Sequence, residues 1–293
     1  MCPGGRTMIS RTVTGVVVIA WWLCASGYGA PATSPVADRY WVEPMKKVHA
    51  RFTGRNGTFA HFGDSITVSM AYWSPLRWSQ KNLDPEARRA WELVNGYMVR
   101  ECWDKWKGPE YGNTGMMTIR WAHDNIDRWL QKLNPEVALM MFGTNDLGSV
   151  KIDEYEARTR EVVRRCLDNG TIMILSTIPP KSGRLAQCRQ FAEVVLKVGR
   201  EMNVPVIDYF GECLRRRPDD WDGTLPKFRD TPGDVYQVLT LISRDGVHPS
   251  NPKQYMGDFS EEALNNNGFS LRTYLSLMAY ADVIRSVLRP EGR

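Results

Sequence analysis

The sequence predicts an α/β fold, a three-layer α/β/α sandwich built around a central parallel sheet. Short apolar runs alternate along the chain with stretches of helical periodicity, which is the pattern of successive βα units. Residues 137–142 form a continuous apolar run that ends at Gly143, as expected of a strand buried on both faces. These two observations together favour a parallel sheet covered by helices.

Each predicted element rests on a pattern of its own. The predicted strands are 58–62, 137–142, 172–175 and 204–207. Pro205 in the last of them indicates a strand start or a sheet edge, because proline cannot donate to the strand ladder. Apolar residues spaced three and four apart predict helices at 119–133, 185–202 and 271–288.

The first 32 residues have the features of a secretory signal peptide. Arg6 and Arg11 precede an apolar stretch from Val13 to Cys24, and Ala30-Pro31-Ala32 resembles a cleavage site. We therefore expect a signal peptide at 1–32 and a secreted or periplasmic protein, with a retained N-terminal anchor as the alternative. No second long apolar run follows, so no stable membrane span is expected after removal of the signal.

The rest of the chain is assigned to a leader at 33–56 and one domain at 57–293. Residues 70–109 exceed a minimal α/β domain and are rich in tryptophan, so they are assigned to an insertion. Its tryptophans either contact substrate near the rim of an active site or pack the insertion's own core. On the first alternative, Trp73 and Trp78 are candidate substrate-binding residues.

A second long stretch, residues 213–242, contains Trp221, Phe228 and Tyr236 and is also expected near the rim.

Composition excludes several classes of function. The formal net charge of +5 on 293 residues is too small to indicate nucleic-acid binding, so no nucleic-acid partner is expected. The cysteine spacings match no zinc pattern and no H-E-x-x-H is present, so neither a metal nor another cofactor is predicted. Either two disulfides or buried free thiols are compatible with the four cysteines beyond the signal, Cys102, Cys166, Cys188 and Cys213.

Polar residues follow the predicted strands where a parallel sheet places its ligands. Ser65 comes directly after the first strand in Gly63-Asp64-Ser65, and Asn145 follows the second strand. A serine nucleophile needs a base, a group that orients the base, and donors for the anionic oxygen. Asp245 and His248 lie three residues apart, so one turn of chain can bring the carboxylate to the imidazole.

Together these motifs resemble the SGNH or GDSL hydrolase family. Four blocks match over roughly residues 57–290: Gly63-Asp64-Ser65, the glycine at Gly115, Gly143-Thr144-Asn145-Asp146, and Asp245 to His248. The resemblance implies an SGNH-hydrolase-like α/β/α sandwich, flavodoxin-like in arrangement, that hydrolyses esters. The matched Ser, Asp, His order also occurs in α/β-hydrolases, whose nucleophile elbow is G-x-S-x-G, but Thr67 occupies the second glycine position here.

The resemblance also implies a role for each matched residue. Ser65 would be the nucleophile, His248 the general base and Asp245 the residue that orients it. The oxyanion hole would consist of the Ser65 N–H, the Gly115 N–H and the side-chain amide of Asn145.

The resulting expectation is an exported serine esterase that needs no cofactor and forms an acyl-enzyme. The expected substrate is a small-molecule or polysaccharide ester, with acetyl groups on carbohydrate as the leading class. The enzyme alternatives are a lipid or lysophospholipid esterase and an acyltransferase. A carbohydrate-binding protein that retains the fold without catalysis is the alternative from another class.

Overall fold

The computed structural model of the chain describes Met1 and residues 39–289, the latter in one compact unit. The signal peptide predicted at 1–32 lies outside the described residues. Among the residues that are described, no helix is long and apolar enough to cross a membrane.

The centre of the fold is a parallel sheet of four strands in the order β1-β2-β3-β4. The strands are β1 Phe59–Gly63, β2 Val137–Met141, β3 Ile172–Ser176 and β4 Val206–Ile207. Every residue of the first three strands is buried, which explains why their sequences are continuous apolar runs rather than alternating ones. The sheet predicted from the sequence is confirmed, and its carboxyl ends lie side by side.

Helices cover both faces of this sheet. They are α1 Val42–His49, α2 Ser65–Val68, α3 Pro75–Trp78, α4 Pro85–Tyr97, α5 Ile119–Leu133, α6 Ile152–Asp168, α7 Leu185–Glu201, α8 Tyr209–Arg216, α9 Glu261–Asn266 and α10 Gly268–Val283, the last continued by a π-helical turn at Ile284–Leu288. One layer consists of α5, α6 and α7 packed in sequence, and the other contains α1, α4 and α10. The three-layer α/β/α sandwich predicted from the sequence is therefore confirmed.

Residues 39–56 belong to this domain, whereas the sequence predicts a leader at 33–56. Trp41, Met45 and Val48 are buried at helical spacing against the core. His49 on the same helix is bonded through Nε2 to the buried carboxylate of Glu136, at 2.9 Å. Polar residues on the exposed face of α1 concealed the apolar repeat, so the domain begins earlier than predicted.

The insertion completes the edge of the sheet. Strand β1 is an edge strand, and an exposed edge is prone to pair with other chains. Residues 99–106 run along it: His61 N–H donates to Trp106 O at 2.8 Å and Phe59 N–H donates to Cys102 Sγ at 3.4 Å. The insertion therefore satisfies backbone donors that a further strand would otherwise satisfy.

Trp73 is part of this packing, which corrects its prediction as a substrate-binding residue. Its side chain is fully buried, with ring centres 5.3 Å from Phe59 and 5.0 Å from Trp103. Its Nε1–H donates to Cys102 O at 3.2 Å. Trp78, by contrast, is 71% exposed. Of the two predicted tryptophans, only Trp78 presents a ring to solvent.

We expect Trp73→Ala to lower the free energy of unfolding by about 3–5 kcal/mol, because it empties a large buried site. Trp78→Ala is the matched control and should change stability by less than about 0.5 kcal/mol, as is usual for exposed positions. Denaturant titration of both variants checks this. Equal losses in the two variants would contradict the assignment of Trp73 to the core.

The structure also decides between the two alternatives for the cysteines beyond the signal. All four are buried free thiols: Cys102, Cys166, Cys188 and Cys213. Burial raises the pKa of the Cys188 thiol to about 11 and that of Cys102 to about 12, so these groups stay protonated at neutral pH.

Candidate active site

The turn between β1 and α2 exposes the hydroxyl of Ser65 at the carboxyl edge of the sheet. Asp64 is the N-cap of α2, and its Oδ1 accepts a hydrogen bond from Ile66 N–H at 3.1 Å. Gly63 is required at the end of β1, because a side chain there would collide with Thr67 and with the backbone of β2. The sequence Gly-Asp-Ser thus allows the strand to pass directly into the helix that begins with Ser65.

Ser65, His248 and Asp245 form a continuous chain of hydrogen bonds. Ser65 Oγ lies 2.8 Å from His248 Nε2, and His248 Nδ1 lies 2.7 Å from Asp245 Oδ2. The other carboxylate oxygen, Oδ1, accepts from Ser243 Oγ at 2.7 Å and from the backbone N–H groups of Val247 and His248 at 2.8 and 2.9 Å. Because an ionised carboxylate can only accept, Nδ1 carries the proton and Nε2 is free to accept one from Ser65.

The charges around Asp245 and His248 suit the role of His248 as a general base. Burial alone would raise the pKa of Asp245, but hydrogen bonds from His248 and Ser243 outweigh it and hold the pKa well below its ordinary value. The hydrogen bond to Asp245 raises the pKa of His248, and partial burial opposes that rise. The carboxylate therefore stays ionised while the imidazole becomes a stronger proton acceptor.

Activity is expected to increase with pH through one ionisation, because His248 must be neutral to accept the serine proton. Its pKa is raised, so it stays protonated to a higher pH than an ordinary histidine, and the midpoint should lie above about 6.5. Measurement of kcat/KM from pH 5 to 9 tests this. A flat profile with chemistry rate-limiting would contradict the role of His248.

Gly115 adjoins Ser65, Asn145 is bonded to Gly115, and the donors predicted for both residues already have acceptors within the chain. Asn145 Nδ2 donates to Gly115 O at 3.3 Å and to Met117 O at 3.1 Å. Gly115 has φ +97° and so little space that an added Cβ would lie 3.3 Å from Ser65 Cα. Its N–H, however, already donates to Asn113 Oδ1 at 2.8 Å. The role of the Gly115 N–H in an oxyanion hole therefore stays a prediction, and it would require this N–H to turn from Asn113 to the substrate.

Two buried carboxyl groups, Asp64 and Asp146, lie behind the nucleophile. Asp146 Oδ1 accepts from Ile119 N–H at 2.9 Å, while the Oδ2 atom of each acid has no partner among the described residues. Burial raises the pKa of Asp64 to about 6 and that of Asp146 to about 7, and for Asp146 the nearby Asp64 adds to the effect. Both carboxyl groups are therefore harder to ionise than an ordinary aspartate.

Two further residues border His248: Tyr236, from the stretch expected near the rim, and Lys181, which sequence reasoning missed. The ring of Tyr236 lies 6.2 Å from the imidazole, centre to centre. Lys181 follows β3 at the same edge of the sheet, donates to Thr144 O at 3.4 Å, and lowers the pKa of His248 by its charge. Its position after a strand could have indicated it.

Comparisons with known proteins give one matching family and several similar solved structures. Residues 61–252 match the GDSL-like lipase/acylhydrolase family. A comparison with curated proteins finds no match. Similar solved structures include a lipase/acylhydrolase from Enterococcus faecalis, at 17% identity and a TM-score of 0.44, covering 76% of this chain and 94% of that one.

Two carbohydrate esterases also resemble the chain in structure. A catalytic mutant of an acetylxylan esterase from Geobacillus stearothermophilus has 17% identity and a TM-score of 0.43, covering 80% of this chain and 96% of that one. A family 3 carbohydrate esterase from Clostridium thermocellum has 14% identity and a TM-score of 0.46, covering 78% and 96%. Because the family match spans most of the chain and includes Ser65, Asp245 and His248, the chain belongs to the GDSL-like lipase/acylhydrolase family and is a carboxylic ester hydrolase.

Proposed function

We propose that the chain is a serine esterase that works through an acyl-enzyme on Ser65. The observation that carries this proposal is the unbroken hydrogen-bond chain from Ser65 Oγ through His248 to Asp245. Ser65 Oγ attacks the ester carbonyl carbon as its proton passes to His248 Nε2. The bond to the leaving alcohol then breaks, and His248 returns the proton to that alcohol. A water molecule activated by His248 releases the acid and restores Ser65.

The oxyanion donors in this proposal are the Ser65 N–H and the Asn145 amide. The Ser65 N–H lies in the first turn of α2, where no intrahelical acceptor is available. Asn145 would exchange its longer contact, the one at 3.3 Å to Gly115 O, for the substrate oxygen. Loss of one such donor typically costs a factor of about 10² to 10³ in turnover. Gly115 contributes by its lack of a side chain beside Ser65.

The proposed substrate is a short acyl ester, with acetyl groups on carbohydrate as the leading class. The close approach of Gly115 to Ser65 leaves little space for a bulky group on that side of the nucleophile. The exposed Trp78 lines a groove of about 400 Å³ together with the half-buried Trp91, and an exposed aromatic ring can stack on a sugar. Export, proposed from the sequence of residues 1–32, would bring the enzyme to extracellular polysaccharide.

A second candidate is an esterase acting on lipids. Met70 is 65% exposed and Met116 is 85% exposed, and they lie shortly after Ser65 and directly after Gly115 in the chain. Flexible methionine side chains can adapt to an acyl chain. This candidate predicts a preference for longer acyl groups.

Labelling with a fluorophosphonate probe tests the nucleophile. Wild-type protein and Ser69→Ala should be labelled, while Ser65→Ala should not. Ser69 is a matched control because, among the described residues, its hydroxyl bonds only to Ala71 N–H. Label on another residue would contradict the proposal, and a folded wild-type protein that takes no label would favour a non-catalytic binding protein.

A panel of acetyl, butyryl and long-chain esters, assayed beside acetylated xylan, then tests the substrate. We expect kcat/KM to be highest for acetyl esters. A steady rise with chain length would instead favour the lipid candidate.

A further inference from the structure

An arginine from the C-terminal part of the chain is buried beneath the nucleophile. Arg272 on α10 is 1% exposed. Its Nη1 donates to Ile66 O at 2.7 Å and its Nη2 donates to Thr67 Oγ1 at 2.8 Å. Both acceptors lie on α2, the helix that begins with Ser65. Arg272 lies beyond the residues that match the family, so the family match says nothing about it.

Burying the Arg272 guanidinium costs free energy. This indicates that its role is to supply hydrogen bonds of fixed direction. Its surroundings are the two acceptors on α2 and the face of the Tyr72 ring, whose centre is 3.8 Å from Cζ, with the carboxyl of Asp64 nearby. Removing an ion from water costs several kcal/mol, and an apolar residue of similar volume is often no less stabilising. What an apolar residue could not supply is a pair of hydrogen bonds of fixed direction.

We propose that Arg272 is a positioning residue that holds α2 so that Ser65 Oγ stays within hydrogen-bond distance of His248 Nε2. The proposal rests on the role of Ser65 as the nucleophile. Two hydrogen bonds to successive residues of a four-residue helix oppose both its rotation and its translation. Displacement of a reacting group by about 1 Å can cost about 10²-fold in rate, so small movements of α2 matter.

A second buried basic residue, Lys107, fixes the loop that follows α2. Lys107 is 2% exposed, and its Nζ donates to Ser69 O at 2.9 Å, to Tyr72 O at 2.7 Å and to Ser74 Oγ at 3.2 Å. All three donors of an ammonium group are therefore used. Because the acceptors of Lys107 differ from those of Arg272, loss of the Arg272 side chain should free α2 without releasing the segment after it.

The first test is Arg272→Met with Arg216→Met as control. The Arg216 side chain is 8% exposed and bonds to Glu212, Glu261 and Asn265, none of which touches the proposed active site. We expect Arg272→Met to lower kcat per folded molecule about 10- to 100-fold with little change in KM. Arg216→Met should lower the melting temperature and leave kcat per folded molecule unchanged. If Arg272→Met also lowers the melting temperature but leaves kcat per folded molecule unchanged, the proposal is overturned.

A double-mutant cycle with Thr67→Val gives a second readout, which remains available if the methionine variant does not fold. Valine keeps the shape of Thr67 and removes the Oγ1 acceptor. If Arg272→Met does not fold, Arg272→Lys takes its place in the cycle. If Arg272 acts through α2, the effects of the two changes on kcat will be non-additive. Additive effects would count against it.

The lysine variant alone keeps the charge but cannot reproduce the two-pronged geometry, so only partial rescue is expected. Ser65→Ala separates the two proposals. If that variant is active, the nucleophile assignment fails; if it is inactive while Arg272→Met turns over normally, only the role of Arg272 fails.

Discussion

Replacement of Ser65 by alanine is expected to lower kcat by about 10⁶-fold, the size of loss found when a serine nucleophile is removed from a comparable triad. The hydroxyl supplies the atom that attacks the carbonyl, and no other group in the hydrogen-bond chain can replace it. Ser65 is only half-buried, so the melting temperature should change little. Turnover of an acetyl ester and thermal unfolding, measured on the same preparations, check both parts.

Ser69→Ala should retain near wild-type turnover in the same assay. Comparable turnover in Ser65→Ala and wild type would show that another residue is the nucleophile, and the proposed mechanism would then be wrong. A large fall in melting temperature of Ser65→Ala would mean that lost activity reports unfolding rather than chemistry.

Replacement of Asp245 by asparagine is expected to lower kcat by about 10⁴-fold, by analogy with other serine triads. The amide would donate where the carboxylate now accepts, at 2.7 Å from His248 Nδ1. The imidazole would then carry its proton on Nε2, where it cannot take one from Ser65. The residual activity should titrate at lower pH than in the wild type, because the group that raises the pKa of His248 is gone.

Ser243→Ala is the matched control for this change. It removes one of three hydrogen bonds to Asp245 Oδ1 and leaves the two backbone donors in place, so a much smaller loss is expected. An unchanged rate in Asp245→Asn would mean that some other group orients the imidazole.

The parts of the site that could be predicted from sequence are those encoded locally. The Asp245 and His248 pairing depends on a three-residue spacing, and Ser65 was located by its place after a buried strand. The buried strands were also recognisable, because burial on both faces leaves uninterrupted apolar runs. In each case the residues that determine the feature lie within one short segment of the chain.

The parts that could not be predicted depend on contacts between distant segments. Burial of Trp73 against the edge strand is not distinguishable in sequence from exposure on a rim, since both use aromatic residues. The acceptors of Arg272 lie about two hundred positions away along the chain, and the sequence of its own helix shows only an apolar pattern. The engagement of the Gly115 N–H depends on how the Asn113 side chain folds back, which spacing does not determine.

Coverage of β1 by residues 99–106 limits how this enzyme could be redesigned. A loop graft that replaced the tryptophan-rich segment with a shorter one from another esterase would remove the partners of His61 N–H and Phe59 N–H. It would also remove Trp73 and Trp103, and with them the indole ring that packs against Phe59 of β1. The grafted protein would then present a bare, apolar strand to other molecules and would tend to self-associate. The segment that would be exchanged to alter specificity is therefore also a structural part of the domain. Changes to it are best confined to Trp78 and other exposed side chains.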